Sequence, residues 1–291
     1  MEGYKAFEKG LICRGKQYAE NTVFEEDKAE ICESGMHFCK EPLEVLNYYP
    51  LVDDDGNMTE FAKVEALDEC KTNDNKKFCT KKLRIGAKIS FSQLVQASVS
   101  FDLETNGKAK KHDKDDEKIS SKGNSAQIGS SGNYAKIGSS GYSAQIGSSG
   151  NYAKIGSSGD YAKIGSSGYY AQIGSSGYSA QIGSSGYSAK IGSSGDYAKI
   201  GSSGYSAKIG SSGDYAKIVS EGKYSVVCCA GHNSKARAKK GSWITLAEWE
   251  FDDKLNARIP KCVKTVQVDG ETIKEDTFYK LLDGEFVEVK E

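Results

Sequence analysis

From residue 119 onward the apolar positions keep a strict rhythm, with isoleucine at 119, 128, 137, 146, 155, 164, 173, 182, 191, 200, 209 and 218, a step of nine. The unit reads Gly-Ser-Ser-Gly-x-(Tyr or Ser)-Ala-(Lys or Gln)-Ile. Self-similarity at so short a period is the mark of a solenoid. The stretch from x to Ile predicts a strand, with Gly-Ser-Ser-Gly turning the chain on either side and no proline in the array. Alternation puts Ala135 and Ile137 on one face and Tyr134 and Lys136 on the other. The Ala and Ile face is the core, and Ile137, Ile146, Ile155, Ile164, Ile173 and Ile182 are its interior residues. Nine residues make half a flattened coil, so two units form one rung and the rungs stack into two parallel sheets back to back. Twelve units then give about six rungs and a rod roughly 30 Å long. Each buried Ile contributes roughly 2 kcal/mol, but only stacking closes the core around it, so the array is long and needs caps. Val227 and Ala236 keep the isoleucine register and are candidate capping coils.

On both sides of this array the pattern changes. Phe61 to Leu67 and Thr80 to Ile85 alternate as strands, and Pro42 followed by Leu43 to Tyr49 reads as a short helix with proline in its first turn. A second helix is expected from Ser90 to Val95, and Asp53 to Asn57 reads as a turn. Together these predict a small α+β domain over residues 1–103. Residues 104–118 are almost devoid of apolar side chains and read as a charged linker, with His112 on its surface. The repeat solenoid covers 119–227, and 228–291 holds a capping coil and a C-terminal β-meander. In that last segment Ser242 to Phe251 is a strong strand, Asp269-Gly270 and Asp283-Gly284 are hairpin signals, and Trp243 and Trp249 are expected in the core.

Composition sharpens the division. Of 33 glycines, 21 lie between Gly123 and Gly213, and of 17 tyrosines, 11 lie between Tyr134 and Tyr215. The formal net charge of −1 conceals an acidic 1–103 (−5), a basic 119–218 (+5) and a nearly neutral 219–291 (−1). No segment is basic enough to announce nucleic-acid binding. The first residues carry no apolar signal core and no run approaches a membrane span, so the expectation is cytoplasmic synthesis without export. The eight cysteines lack Cys-x-x-Cys spacing and are expected as mostly buried thiols, with Cys228 and Cys229 on opposite strand faces. The nonapeptide invites comparison with calcium-binding β-rolls. Here the carboxylates Asp160, Asp196 and Asp214 stand alone on one edge, so neither calcium nor any other metal or cofactor is expected.

The outward positions are the candidate chemistry. Tyrosine and lysine together suit a partner protein, with glycan or single-stranded nucleic acid less supported, and an aromatic ladder also allows two rods to pair. The candidate contact patch is Tyr152, Lys154, Tyr161, Lys163, Tyr169 and Tyr170. In the N-terminal domain His37 and Cys39, with Cys13 and Arg14 upstream, assemble on paper into a nucleophile and base, yet no third orienting residue declares itself. No catalytic residue is assigned.

Several spaced motifs carry a resemblance. Tyr4-Lys5-Ala6-Phe7, Cys13-Arg14-Gly15 with Tyr18, Gly35 to Cys39, and Pro42 to Tyr49 resemble an N-terminal domain of unknown function found in phage and prophage proteins. Val268 to Glu271, Tyr279 and Asp283 to Phe286 resemble the C-terminal part of the same proteins, which carry Ser-Ser-Gly nonapeptides between. The resemblance implies a phage or prophage origin and no settled activity. The expectation is therefore a non-enzymatic protein-binding protein with a host or phage protein as partner, in its specific form an inhibitor of a host nuclease or defence complex. A structural or adhesive virion-associated role is the alternative. The stretch Gly35 to Tyr49 also resembles the Gly-x-Tyr-Phe-Ala strand of ADP-ribosyltransferases, the lesser alternative, although Cys39 replaces the small residue and no catalytic Glu can be assigned.

Overall fold

The computed structural model describes residues 1–51, 53, 57–89, 91, 93, 94, 97, 98, 101 and 112–289. The expected linker falls outside them up to residue 111, as do Asp54 to Gly56 and both ends of the expected helix Ser90 to Val95. Phe91, Gln93, Leu94, Ala97, Ser98 and Phe101 are helical.

The isoleucine rhythm builds a β-solenoid of about 7 turns over residues 118–246. Its strands are four residues long and pair in parallel with the strand 18 residues on, as Lys136–Ser139 does with Lys154–Ser157. Alternate units therefore feed alternate sheets, each of nine strands. The interior is the predicted column of Ile and Ala, with Ile137, Ile146, Ile155, Ile164, Ile173 and Ile182 all buried. Val227 and Ala236 sit in register above it. The turn count exceeds six because Val226–Cys229, Lys235–Ala238 and the start of Trp243–Asp252 continue the stack without the Gly-Ser-Ser-Gly unit.

The phase of the repeat differs from the expectation. The sequence places the turn at Gly-Ser-Ser-Gly, but the first Gly and Ser belong to the strand, as in Lys163-Ile-Gly-Ser166. The left-handed turn position is Tyr or Ser, as at Tyr134 (φ 57°), Ser143 (φ 55°) and Tyr152 (φ 57°). The second glycine is needed for a different reason: a Cβ on Gly159 would overlap the carbonyl oxygen of Gly141, one rung below. Rung stacking, not backbone handedness, fixes that glycine.

The N-terminal unit is a seven-stranded antiparallel sheet whose centre is Glu60–Ala66, Glu2–Phe7 and Met36–Cys39. One face packs Phe7, Met36, Phe38, Val64, Leu83 and Ile85. The helix expected after Pro42 is a 3-10 helix, Pro42–Asn47, with proline in its first turn. It joins Leu51, Phe61, Phe91 and Leu94 in a second core that also takes in Val219 of the solenoid and Phe278. The N-terminal domain is thus packed onto the rod.

The C-terminal strands are antiparallel and extend both sheets. Trp243–Asp252 pairs with Ala257–Gln267 on one, and Tyr279–Leu282 with Glu285–Glu288 on the other. Asp283-Gly284 is the two-residue hairpin turn predicted, both residues left-handed (φ 50° and 72°). Asp269-Gly270 is not a hairpin: the Asp269 carboxylate accepts the N–H groups of Glu271 and Ile273, an Asx turn that starts the loop across the rod end. Trp243 is 46% exposed, because it falls in the outward column of Val226 and not on the core face. Trp249 is half-buried and donates its indole N–H to the Ala230 carbonyl at 2.8 Å.

Candidate functional site

Every full repeat supplies a tyrosine at its turn, either at x or at the left-handed position after it. Both placements reach the same edge, so rings stack from rung to rung. One ladder runs Tyr134, Tyr152, Tyr170, Tyr187, Tyr205 and Tyr224 at centroid spacings of 5.0 to 5.9 Å. The opposite edge carries Tyr142, Tyr161, Tyr178, Tyr197 and Tyr215 and ends on His232. A left-handed non-glycine residue costs roughly 1–2 kcal/mol, and each stacked pair returns roughly 0.5–1.5 kcal/mol. The two terms nearly balance, so the tyrosines stabilise the turns and still expose their ring edges. Where x is Asn or Asp, its side chain accepts the backbone N–H of the next rung, as Asp160 does from Tyr178 and Asp196 from Asp214, each at 2.8 Å. The aspartates predicted on one edge are there, engaged with backbone donors.

The two sheet faces differ sharply. On one, the outward Lys/Gln column is covered by the segment from Glu41 to Asp53. Gln127 donates to the Glu41 carboxylate, Gln145 to Glu44 at 3.0 Å and Lys163 to the Asn47 side-chain oxygen. Gln181 accepts the Leu51 N–H at 3.2 Å, and Lys217 donates to the Asp53 carbonyl at 2.8 Å. Burial pushes the Lys163 amine down to about 8, against the pull of Glu44 and Glu41. The glycines between these rows give the domain its seat: a Cβ on Gly183 would overlap Phe91 and Leu51, and one on Gly201 would crowd Met58.

The other face is open. Lys118, Lys136, Lys154, Gln172, Lys190 and Lys208 form its outward column beside a floor of glycines, lining a trough of about 1050 Å³. A Cβ at Gly138, Gly156, Gly174, Gly192 or Gly210 would meet nothing within 4 Å. These lysines make no ion pair with any described residue. At the sheet spacing, neighbouring charges repel by about 1 kcal/mol or less in water. The ladder that begins at Tyr134 borders this column, because each of its turns leads directly into a strand of the open sheet.

The six residues read from sequence as one contact patch do not share a surface. Tyr152, Tyr170 and Lys154 lie together at the open face, with Tyr169 on the same edge, 58% exposed and outside the stack. Tyr161 is on the opposite edge. Lys163 is only 8% exposed and lies under Asn47, so it is not an outward contact residue. The error has one cause: a nine-residue step alternates faces, so residues one unit apart never meet, whereas residues 18 apart do.

A second candidate site was only partly legible. Cys13, Arg14, His37 and Cys39 do come together, at a cavity of about 540 Å³ in the N-terminal domain that also exposes Lys5, Lys16, Tyr18, Glu26, Tyr48, Tyr49 and Lys77. Among the described residues no hydrogen bond joins the His37 ring to the Cys13 or Cys39 thiol. Burial, then the neighbouring Lys5, Lys77 and Arg14 charges, push His37 down to about 4, and its Nε2 accepts the Cys32 N–H at 3.0 Å. Burial raises the Cys39 thiol to about 12. The Cys13 thiol lies 3.1 Å from the Tyr49 hydroxyl. Sequence reasoning missed Lys5, which stands in a strand that reads as ordinary alternation. All eight cysteines are free, and no group of three metal-ligating side chains occurs among the described residues. Among those residues, too, no helix is long and apolar enough to cross a membrane.

Fold and surfaces together define a mainly β protein in which an antiparallel N-terminal domain rides on a two-sheet solenoid. Residues 1–97 match the family described as Domain of unknown function (DUF7666), so the chain carries an N-terminal domain of that family followed by the repeat solenoid. No curated protein and no solved structure matches the chain.

Proposed function

We propose that this is a non-enzymatic binding protein whose recognition surface is the open solenoid face together with the bordering tyrosine ladder. One observation carries the reading: of two faces built from the same repeat, one is closed by the chain's own N-terminal domain and the other, the richer in lysine, is left with a row of lysines that pair with no described residue, over bare glycine. A flat row of cations beside rigid aromatic edges suits a protein with an acidic, apolar-bearing surface; on the covered face Glu44 and Glu41 stand near Lys163 while bonding Gln145 and Gln127, and Leu51 packs over Gly183. The phage or prophage setting rests on the sequence motifs. In it the partner is a host protein, and inhibition of a nuclease or defence complex in the host cytoplasm is the specific form of the proposal.

The test is capture from host lysate with the intact chain and with a Lys136→Glu/Lys154→Glu/Lys190→Glu/Lys208→Glu variant, alongside mass spectrometry of purified virions. A host protein retained by the first and lost by the second supports the reading. Presence in virions only, or capture indifferent to the four charges, overturns it.

A further inference from the structure

The cavity of the N-terminal domain has a charge balance that its own structure leaves open. Four basic side chains line it, Lys5, Arg14, Lys16 and Lys77, against two carboxylates, Glu26 and Glu33. Glu26 is already bound to Lys16 at 2.6 Å. Among the described residues Lys77 meets the Cys32 sulfur at 3.1 Å and the Tyr48 ring at 4.5 Å and no carboxylate. Lys5 is the decisive residue. It is 4% exposed, and its ammonium donates to the His37 carbonyl at 2.8 Å while lying against the Phe7 and Tyr18 rings. A buried charge without a carboxylate partner is costly, and burial accordingly pushes the Lys5 amine down. Its neighbours supply aromatic walls, and the volume falls in the range of small-ligand sites.

We propose that this cavity binds a small organic phosphate, with Lys5 at its floor and Arg14 and Lys77 at its mouth meeting the phosphate oxygens and the tyrosines holding the organic part. A phosphate monoester carries a charge of about −1.5 to −2 at neutral pH, which matches the surplus of two cations. Its oxygens accept from the Lys5 ammonium, which otherwise meets the His37 carbonyl and the Cys13 sulfur. Arg14, at a left-handed turn position (φ 53°) followed by Gly15 (φ 76°), is exposed and lines the same cavity. His37, held neutral, adds no charge and keeps the Lys5 carbonyl contact in place.

Reductive trapping tests this on the full chain with pyridoxal 5′-phosphate as probe. The Lys5 amine forms a C–N bond to the aldehyde carbon, whose oxygen leaves as water. Borohydride then delivers hydride to that carbon, fixing a secondary amine that peptide mass spectrometry locates. Exposed rod lysines Lys136 and Lys154 are internal controls. The expected result is trapping at Lys5 at least about tenfold faster than at the controls, the size of one charge-assisted phosphate contact. That preference should be absent with pyridoxal, which lacks the phosphate. Pyridoxine 5′-phosphate, which has the phosphate and no aldehyde, should protect Lys5 alone. Arg14→Asn, which keeps the left-handed turn, should lower the Lys5 rate about tenfold and leave the controls unchanged. Trapping at Lys5 no faster than at Lys136, an equal rate with pyridoxal, or no protection by pyridoxine 5′-phosphate would overturn the proposal.

Discussion

At the residue scale the repeat asks each position for one physical property, and the inward serine is the place where it asks for least. Ser166 is fully buried and its hydroxyl has no hydrogen-bond partner, whereas Ser202, two rungs on, accepts the Gly204 N–H at 3.3 Å. An unpaired buried hydroxyl costs about 1–3 kcal/mol, so removing it should help. Ser166→Ala is expected to raise the thermal midpoint by roughly 2–4 °C, and Ser202→Ala to give no gain. Calorimetry that found Ser166→Ala destabilised would mean the hydroxyl is bonded in solution. The tyrosines show the opposite economy, since stacking offsets the left-handed backbone of those at the second turn position, such as Tyr152 and Tyr161, and leaves the rings on display. Their presence on the outside was legible from alternation. Their division between two edges was legible too, since a two-unit rung pairs residues 18 apart, and grouping Tyr152 with Tyr161 overlooked it.

At the element scale the glycines in the strands do different work on the two sheets, although the repeat writes them identically. Gly192 lies on the open face with nothing within 4 Å of a Cβ, and Gly183 lies beneath Phe91 and Leu51. Alanine in place of a strand glycine gains roughly 0.5–1 kcal/mol where there is room. Gly192→Ala should therefore stabilise slightly. Gly183→Ala should cost about 1–3 kcal/mol through overpacking and speed proteolysis between the domain and the rod. Equal melting curves and equal cleavage for the two variants would contradict the assignment of faces. The strands, their core residues and the two-unit rung were readable from period and alternation alone. The phase of the turn was not, because glycine is compatible with both strand and corner. The choice came from the close approach of stacked rungs at Gly159, a tertiary constraint absent from any single unit.

At the scale of the whole molecule the segregation of charge becomes an arrangement in space. The acidic N-terminal part sets Glu41, Glu44 and the Asp53 carbonyl against the mixed Lys/Gln column of one sheet and leaves the lysine-richer column of the other without a described partner. No feature of one repeat foretells this, since Lys154 and Lys163 have the same neighbours in sequence and opposite fates in the fold. The cavity around Lys5 was likewise visible only in fragments, because its walls come from six separate stretches of the N-terminal domain. The account stands on the asymmetry between the two faces, and lysine acetylation footprinting of the intact chain measures it directly. Lys163 and Lys217 should react at least about tenfold more slowly than Lys136, Lys154, Lys190 and Lys208, because modification of the covered pair requires local opening. The lowered affinity of Lys163 for its proton makes that protection the more telling, since a freely accessible amine of this kind would react faster than its neighbours. Equal rates on the two columns would contradict the account.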